Sequence, residues 1–123
     1  MAKILTIYTD GGARGNPGPA GIGVAIYDDA KKLVATVKEY IGEATNNQAE
    51  YRAVIAALAK AKAIGGTELR FYLDSELVVK QLNREYRVKD KDIDSLYVKA
   101  YNLTLGFKNI TFQHIRREKN ELS

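Results

Sequence analysis

From Lys3 to Asp10 polar and apolar positions alternate, with Ile4, Thr6 and Tyr8 on one side and Leu5, Ile7 and Thr9 on the other. That period of two predicts a strand buried on at least one face. Residues 11–20, GGARGNPGPA, hold four glycines and both prolines and predict a turn that continues neither a helix nor a central strand. Gly21 to Tyr27 and Lys32 to Ile41 are rich in Val, Ile and Tyr around a turn at Asp28 to Lys31, which gives three strands in an antiparallel meander. The period then lengthens. From Asn46 to Ile64 apolar residues recur at three- and four-residue intervals, and Gly65-Gly66 stops a helix of about five turns. Glu68 to Leu73 predicts a fourth strand, Ser75 to Arg84 a helix with Leu77, Val78 and Leu82 inward, Asp90 to Leu105 a third helix, and Asn109 to His114 a fifth strand. This order is α/β: the fourth and fifth strands need helical crossovers and should run parallel to the first.

Composition narrows the classes without naming one. The 123 residues suit one domain spanning 1–123, and a hydrophobic content of 46% is that of a globular chain. With no cysteine, disulfides, thiolate zinc sites and a cysteine nucleophile are excluded. Asp10 interrupts any signal-peptide core, and the longest aliphatic run, Val54 to Ala59, is too short to span a bilayer, so a soluble cytoplasmic protein is expected. The net charge of +4 permits an anionic partner. Bases crowd at Lys80, Arg84, Arg87, Lys89 and Lys91, and again at Lys108, Arg116, Arg117 and Lys119. Acids sit among them, so on charge alone a solvated mixed-charge surface is favoured over a nucleic-acid footprint for both clusters.

Three acids stand out by position. Asp10 ends the first predicted strand and Asp74 the fourth, and parallel strand ends are where such sheets place their sites. At 100° per residue Glu50 lies within about 40° of Val54, Ala57 and Ala61, so it points along the apolar stripe toward the sheet. Singly, Asp10 reads as a turn residue, Asp74 as a helix N-cap and Glu50 as a first-turn acid. Together they would repel one another unless a divalent cation neutralised them, and oxygen-only ligation suits Mg²⁺ or Mn²⁺. The chemistry this suggests is two-metal phosphodiester hydrolysis.

With TDGGARGNPGPAG around Asp10, TNNQAE ending at Glu50 and LDSELVVKQLN starting at Asp74, the sequence closely resembles ribonuclease H type 1, over essentially the whole chain. The resemblance implies a mixed five-stranded sheet, three strands antiparallel and two parallel, flanked by helices. It also implies endonucleolytic cleavage of the RNA strand of an RNA/DNA hybrid, with two Mg²⁺ ions in the active complex and Mn²⁺ as a substitute. The sequence resembles the compact branch without a basic protrusion, since Lys80 to Asp90 leads directly into the next helix. In that frame Gly11, Gly12 and Gly15 let backbone approach a sugar-phosphate chain and Arg14 supplies a phosphate contact. Asn16, Asn46, Asn47 and Gln48 carry amides suited to reading a 2′-hydroxyl; by similarity Asn16, Asn46 and Asn47 line the hybrid's minor groove and Thr45 meets a DNA phosphate. The alternative for these residues is loop and cap chemistry, with Asn46 as the N-cap. Glu76 departs from the amide that many relatives carry there.

His114, the sole histidine, ends a strand and reads as structural or, in the family's pattern, as a proton-transfer aid on a mobile loop, with Arg117 as a second candidate. The family's pattern continues from Asn120 to a fourth aspartate, at what would be residue 124, and a final helix, whereas this sequence ends at Ser123. The expectation is a fold without its last helix, with weakened second-metal binding and exposed apolar sheet surface that promotes self-association. Two functions follow: a hybrid-cleaving enzyme, or a catalytically silent hybrid-binding domain or fragment completed by a partner chain.

Overall fold

A computed structural model describes residues 2–116. In chain order it forms β1 (Ile4–Ala13), β2 (Gly18–Tyr27), β3 (Leu33–Ala44), α1 (Asn46–Ala63), β4 (Glu68–Leu73), α2 (Glu76–Leu82), α3 (Lys91–Thr104) and β5 (Asn109–His114). The five strands make one sheet in the order β3-β2-β1-β4-β5. β1, β2 and β3 are antiparallel neighbours, while β4 runs parallel to β1 and β5 parallel to β4. The predicted α/β class and both parallel pairings hold.

The alternation read along β1 separates two faces. Leu5 and Ile7 join Val24 and Ile26 of β2 and Leu69, Phe71 and Leu73 of β4 beneath Tyr51, Val54 and Leu58 of α1. On the opposite face Tyr8 stacks on Tyr72 at 5.3 Å and meets Tyr27 edge-on at 5.8 Å. Burial pushes the Tyr8 hydroxyl's pKa up, helped by the neighbouring Tyr72 and Tyr27. α1 and α2 are tied by the buried Tyr51 hydroxyl, which donates to Gln81 Oε1 at 2.7 Å. That bond sits one residue past Glu50, so it fixes where α1's first turns lie against the strand ends.

The boundaries of β1, β2, β3 and α2 differ from the sequence reading, β2 beginning at Gly18 and not Gly21. β1 does not stop at the glycines: Gly11 and Gly12 pair with Ile22 and Gly21, and only residues 14–17 remain as the turn. Glycine costs a strand some entropy but does not break its ladder, and both prolines lie outside β1, where no ladder N–H of that strand is lost. Gly18 permits the tight hairpin, since a Cβ there would fall 1.7 Å from Arg14 O. β3 likewise runs on to Ala44, with Gly42 at φ 82° beside the irregularity in its pairing with β2. α2 is shorter than predicted, spans Glu76–Leu82, and turns Leu77 outward with Val79 inward in its place.

Phe71 is fully buried and stacks on Phe112 of β5 at 5.0 Å. Phe71→Ala should therefore cost about 3–5 kcal/mol, read as a drop in the urea midpoint with an unchanged slope.

Candidate active site

β1 and β4 are in parallel register up to Thr9 and Leu73, so the next residues, Asp10 and Asp74, emerge side by side at the same sheet edge. Glu50 comes to them from above. α1 is started by a capping box in which Thr45 Oγ1 accepts from Gln48 N at 3.1 Å and Gln48 Oε1 accepts from Thr45 N at 2.8 Å. The cap is thus Thr45, not Asn46, and Glu50 lies past the first turn, at the head of the buried stripe of Val54, Ala57 and Ala61. Asp74 is not a cap either: Ser75 caps α2 by accepting from Val78 N.

The approach of α1 to β1 depends on Gly11. A Cβ there would lie 2.3 Å from Ala49 O and 2.7 Å from Glu50 N. Its backbone N–H donates to Glu50 Oε1 at 3.1 Å. The bare Cα expected to face a sugar-phosphate chain instead faces the helix, and what it permits is the placement of Glu50.

One ligand oxygen from each of Asp10, Glu50 and Asp74 lies within 4.8 Å of the others. Glu50 is 5% exposed, and its second oxygen, Oε2, is buried without a hydrogen-bond donor. Its carboxyl is pushed up to about 9, first by burial, then by the charge of Asp74, by a hydrogen bond to Asp74 that exists only while Glu50 carries a proton, and by Asp10; the Gly11 N–H opposes the rise. A divalent cation supplies what this cluster lacks, a positive partner for a buried oxygen and a charge that offsets mutual repulsion. The donor set therefore fits Mg²⁺ or a similar hard ion, held by Asp10, Glu50 and Asp74.

The acids open into a groove of about 1580 Å³. Gly11, Gly12, Arg14, Asn46 and Asn47 line it, but Gly15, Asn16, Thr45, Gln48 and His114 do not. Asn16 and Asn46 are tied to the protein: Asn16 Oδ1 accepts from Asn46 N at 3.0 Å and Asn46 Oδ1 accepts from Ala13 N at 2.8 Å. Both amide oxygens are spent on fastening the 14–17 turn to the start of α1, which leaves their NH₂ groups to donate outward. His114 Nε2 sits 3.2 Å from the backbone oxygen of Asp74, at the margin of the acid cluster. Arg117, Asn120 and the expected chain ending lie outside the described residues. Ser75, Lys38 and Tyr40 line the groove and were missed in the sequence; the last two face Gly23 and Gly21 across a β2–β3 register that sequence spacing does not set.

Fold and site define an α/β protein with a carboxylate centre for divalent cations at its parallel strand ends. A family model described as reverse transcriptase-like matches residues 8–123. The chain is 44% identical over 117 residues to the bifunctional protein Rv2228c of Mycobacterium tuberculosis, covering 94% of this chain and 32% of that protein. It is 42% identical over 114 residues to ribonuclease HI of Halobacterium salinarum, covering 93% and 57% respectively. The N-terminal RNase H domain of the mycobacterial protein has a TM-score of 0.96 at 41% identity, covering 99% of this chain and 88% of that one. LC11-RNase H1 in complex with an RNA/DNA hybrid has a TM-score of 0.92 at 43% identity, covering 97% and 90%. The chain belongs to the ribonuclease H group of the reverse transcriptase-like family, and it spans about a third to just over half of the length of these two curated relatives. Among the described residues no helix is long and apolar enough to cross a membrane.

The raised Glu50 value makes stability depend on pH. The folded chain holds this proton up to about 9 and the unfolded chain only to about 4.5, so without divalent ions the contribution is full below 4.5 and is lost as pH rises toward 9. Urea titrations across that window should show the wild type weakening relative to Glu50→Gln. Added Mg²⁺ should restore the wild type at the alkaline end and leave the variant unchanged.

Proposed function

We propose that this chain is a metal-dependent endonuclease that hydrolyses the RNA strand of RNA/DNA hybrids. The observation that carries the reading is the trio Asp10, Glu50 and Asp74, whose oxygens lie within 4.8 Å in a groove lined by glycine and amide groups. The related LC11-RNase H1, solved in complex with such a hybrid, supports the substrate assignment. The proposed ion is Mg²⁺, two in the active complex, with Mn²⁺ as a substitute. The proposed unit is a single domain over residues 1–123, and the proposed compartment is the cytoplasm.

Bound at these carboxylates, divalent ions supply a lowered pKa for the attacking water and charge stabilisation at the leaving 3′ oxygen. The chain's own residues do the rest. Asp10 and Asp74 present oxygens from two adjacent strand ends, and Glu50 presents one from α1, so the three approach from two layers of the fold. The outward NH₂ groups of Asn16 and Asn46, with the Asn47 amide beside them, donate to 2′-hydroxyl and base-edge acceptors in the minor groove, which distinguishes RNA from DNA. Arg14 on the groove wall offers a cation to a backbone phosphate. Thr45 and Gln48 act chiefly by holding the start of α1 through the capping box, with the Thr45 hydroxyl still able to donate to a phosphate. His114, placed on the Asp74 backbone, is positioned to pass a proton at the margin of the site.

A gel assay on end-labelled hybrid with Mg²⁺ or Mn²⁺ tests this reading. Cleavage should leave 5′-phosphate and 3′-hydroxyl ends, spare a DNA duplex of the same sequence, and fall by about a thousandfold or more in Asp10→Asn and Asp74→Asn. Hybrid binding without cleavage by the wild type would point instead to the silent binding domain.

A further inference from the structure

The groove does not end at the carboxylates. It crosses β1 and β2 to the edge strand β3, where Lys38 and Tyr40 line its far side. The register explains the shape. Asp10, Gly23 and Lys38 are partners in one row across three strands, and Gly12, Gly21 and Tyr40 in the next. Paired residues in adjacent strands point to the same face, so each row carries a side chain at β3 and bare backbone at its glycines. Between the acids and Lys38 lie two interstrand spacings, about 10 Å of floor without side chains.

The fold does not require glycine at these floor positions. Unlike Gly15, Gly42 and Gly65, residues Gly12, Gly21 and Gly23 do not have positive φ. A Cβ at Gly21 would come no closer than 3.4 Å to protein, at Gly12 3.9 Å and at Gly23 4.0 Å, which is ordinary contact. Gly11 and Gly18, by contrast, have no room for one. Glycine in a strand interior costs stability, so three unforced glycines on one face call for an occupant. A second observation points the same way: the glycine floor is continuous with the groove that holds Asp10, Glu50 and Asp74, so whatever reaches the acids passes over it. Lys38 is exposed, and Tyr40 is 70% exposed despite its size.

We propose that the glycine floor and the β3 edge form a track for the nucleic-acid backbone leading away from the cleavage site, with Lys38 contacting a phosphate and Tyr40 packing on the adjoining sugar or base. The chemistry fits the wall. A lysine ammonium neutralises one phosphate, an exposed ring offers a sequence-tolerant face, and bare backbone lets a sugar-phosphate chain lie close. Lys38 and Tyr40 bind and position; they do not touch the reacting atoms. This inference rests on the hybrid-nuclease reading.

The test is steady-state cleavage of RNA/DNA hybrid by the full chain and by Lys38→Ala, Tyr40→Ala and Gly21→Val, with urea unfolding of each in parallel. Gly21→Val should keep or raise the urea midpoint, since valine suits a strand with room for its Cβ, yet raise KM about tenfold by filling the track. Lys38→Ala should raise KM with kcat within about twofold, and reduce the slope of log(kcat/KM) against log salt by about one. Tyr40→Ala should raise KM while Tyr40→Phe restores it. Wild-type cleavage with all three variants kinetically unchanged would overturn the track and leave the nuclease reading standing. A wild type that neither cleaves nor binds hybrid would overturn the nuclease reading and the track with it.

Discussion

The structure turns on a carboxylate placed where it cannot comfortably be charged. Glu50 is buried at the head of α1, held on one oxygen by the Gly11 N–H and bare on the other, with Asp74 and Asp10 beside it. In water-poor surroundings an ionised carboxylate needs a partner, and here the neighbours carry the same sign. Only a proton or a cation resolves the conflict. Much of the surrounding architecture serves to hold it in place: the bare Cα of Gly11 lets α1 come down onto β1, the capping box fixes where α1 begins, and the Tyr51–Gln81 bond locks α1 to the helix that follows Asp74.

Loop and cap chemistry and substrate recognition, which the sequence leaves as alternatives for the asparagines, coexist in the same side chains. Asn16 and Asn46 spend their oxygens on the hairpin turn and the helix start. That fixes the direction of their NH₂ groups, so the hydrogen bonds that build the site also orient the groups offered outward. An amide is suited to this because its donor and acceptor sit on one planar group. An ionised carboxylate at either position could accept but not donate.

Much of this was legible along the chain. The period-two run to Asp10, the period-3.6 stripe through Glu50 and the short apolar run to Asp74 were enough to place three acids at element ends facing one edge, because strand alternation and helical phase are local properties. What remained hidden depends on non-local pairing. The glycines after Asp10 read as a turn because glycine is a common breaker, yet Gly11 and Gly12 continue β1 opposite β2. Leu77 and Val79 exchanged roles because a helix of seven residues carries too little periodic signal to set its phase. Lys38 and Tyr40 could be tied to Asp10 and Gly12 only after the β2–β3 register was known, and that register contains an irregularity at Ala20/Gly21 that no spacing rule reveals.

The central claim is that Glu50 trades a proton for a divalent cation. Isothermal titration of Mg²⁺ into the chain near neutral pH, repeated in two buffers of different ionisation enthalpy, counts that exchange. The account predicts release of about one proton per chain by the wild type and none by Glu50→Gln. Tight Mg²⁺ binding by the wild type with no proton released would contradict it.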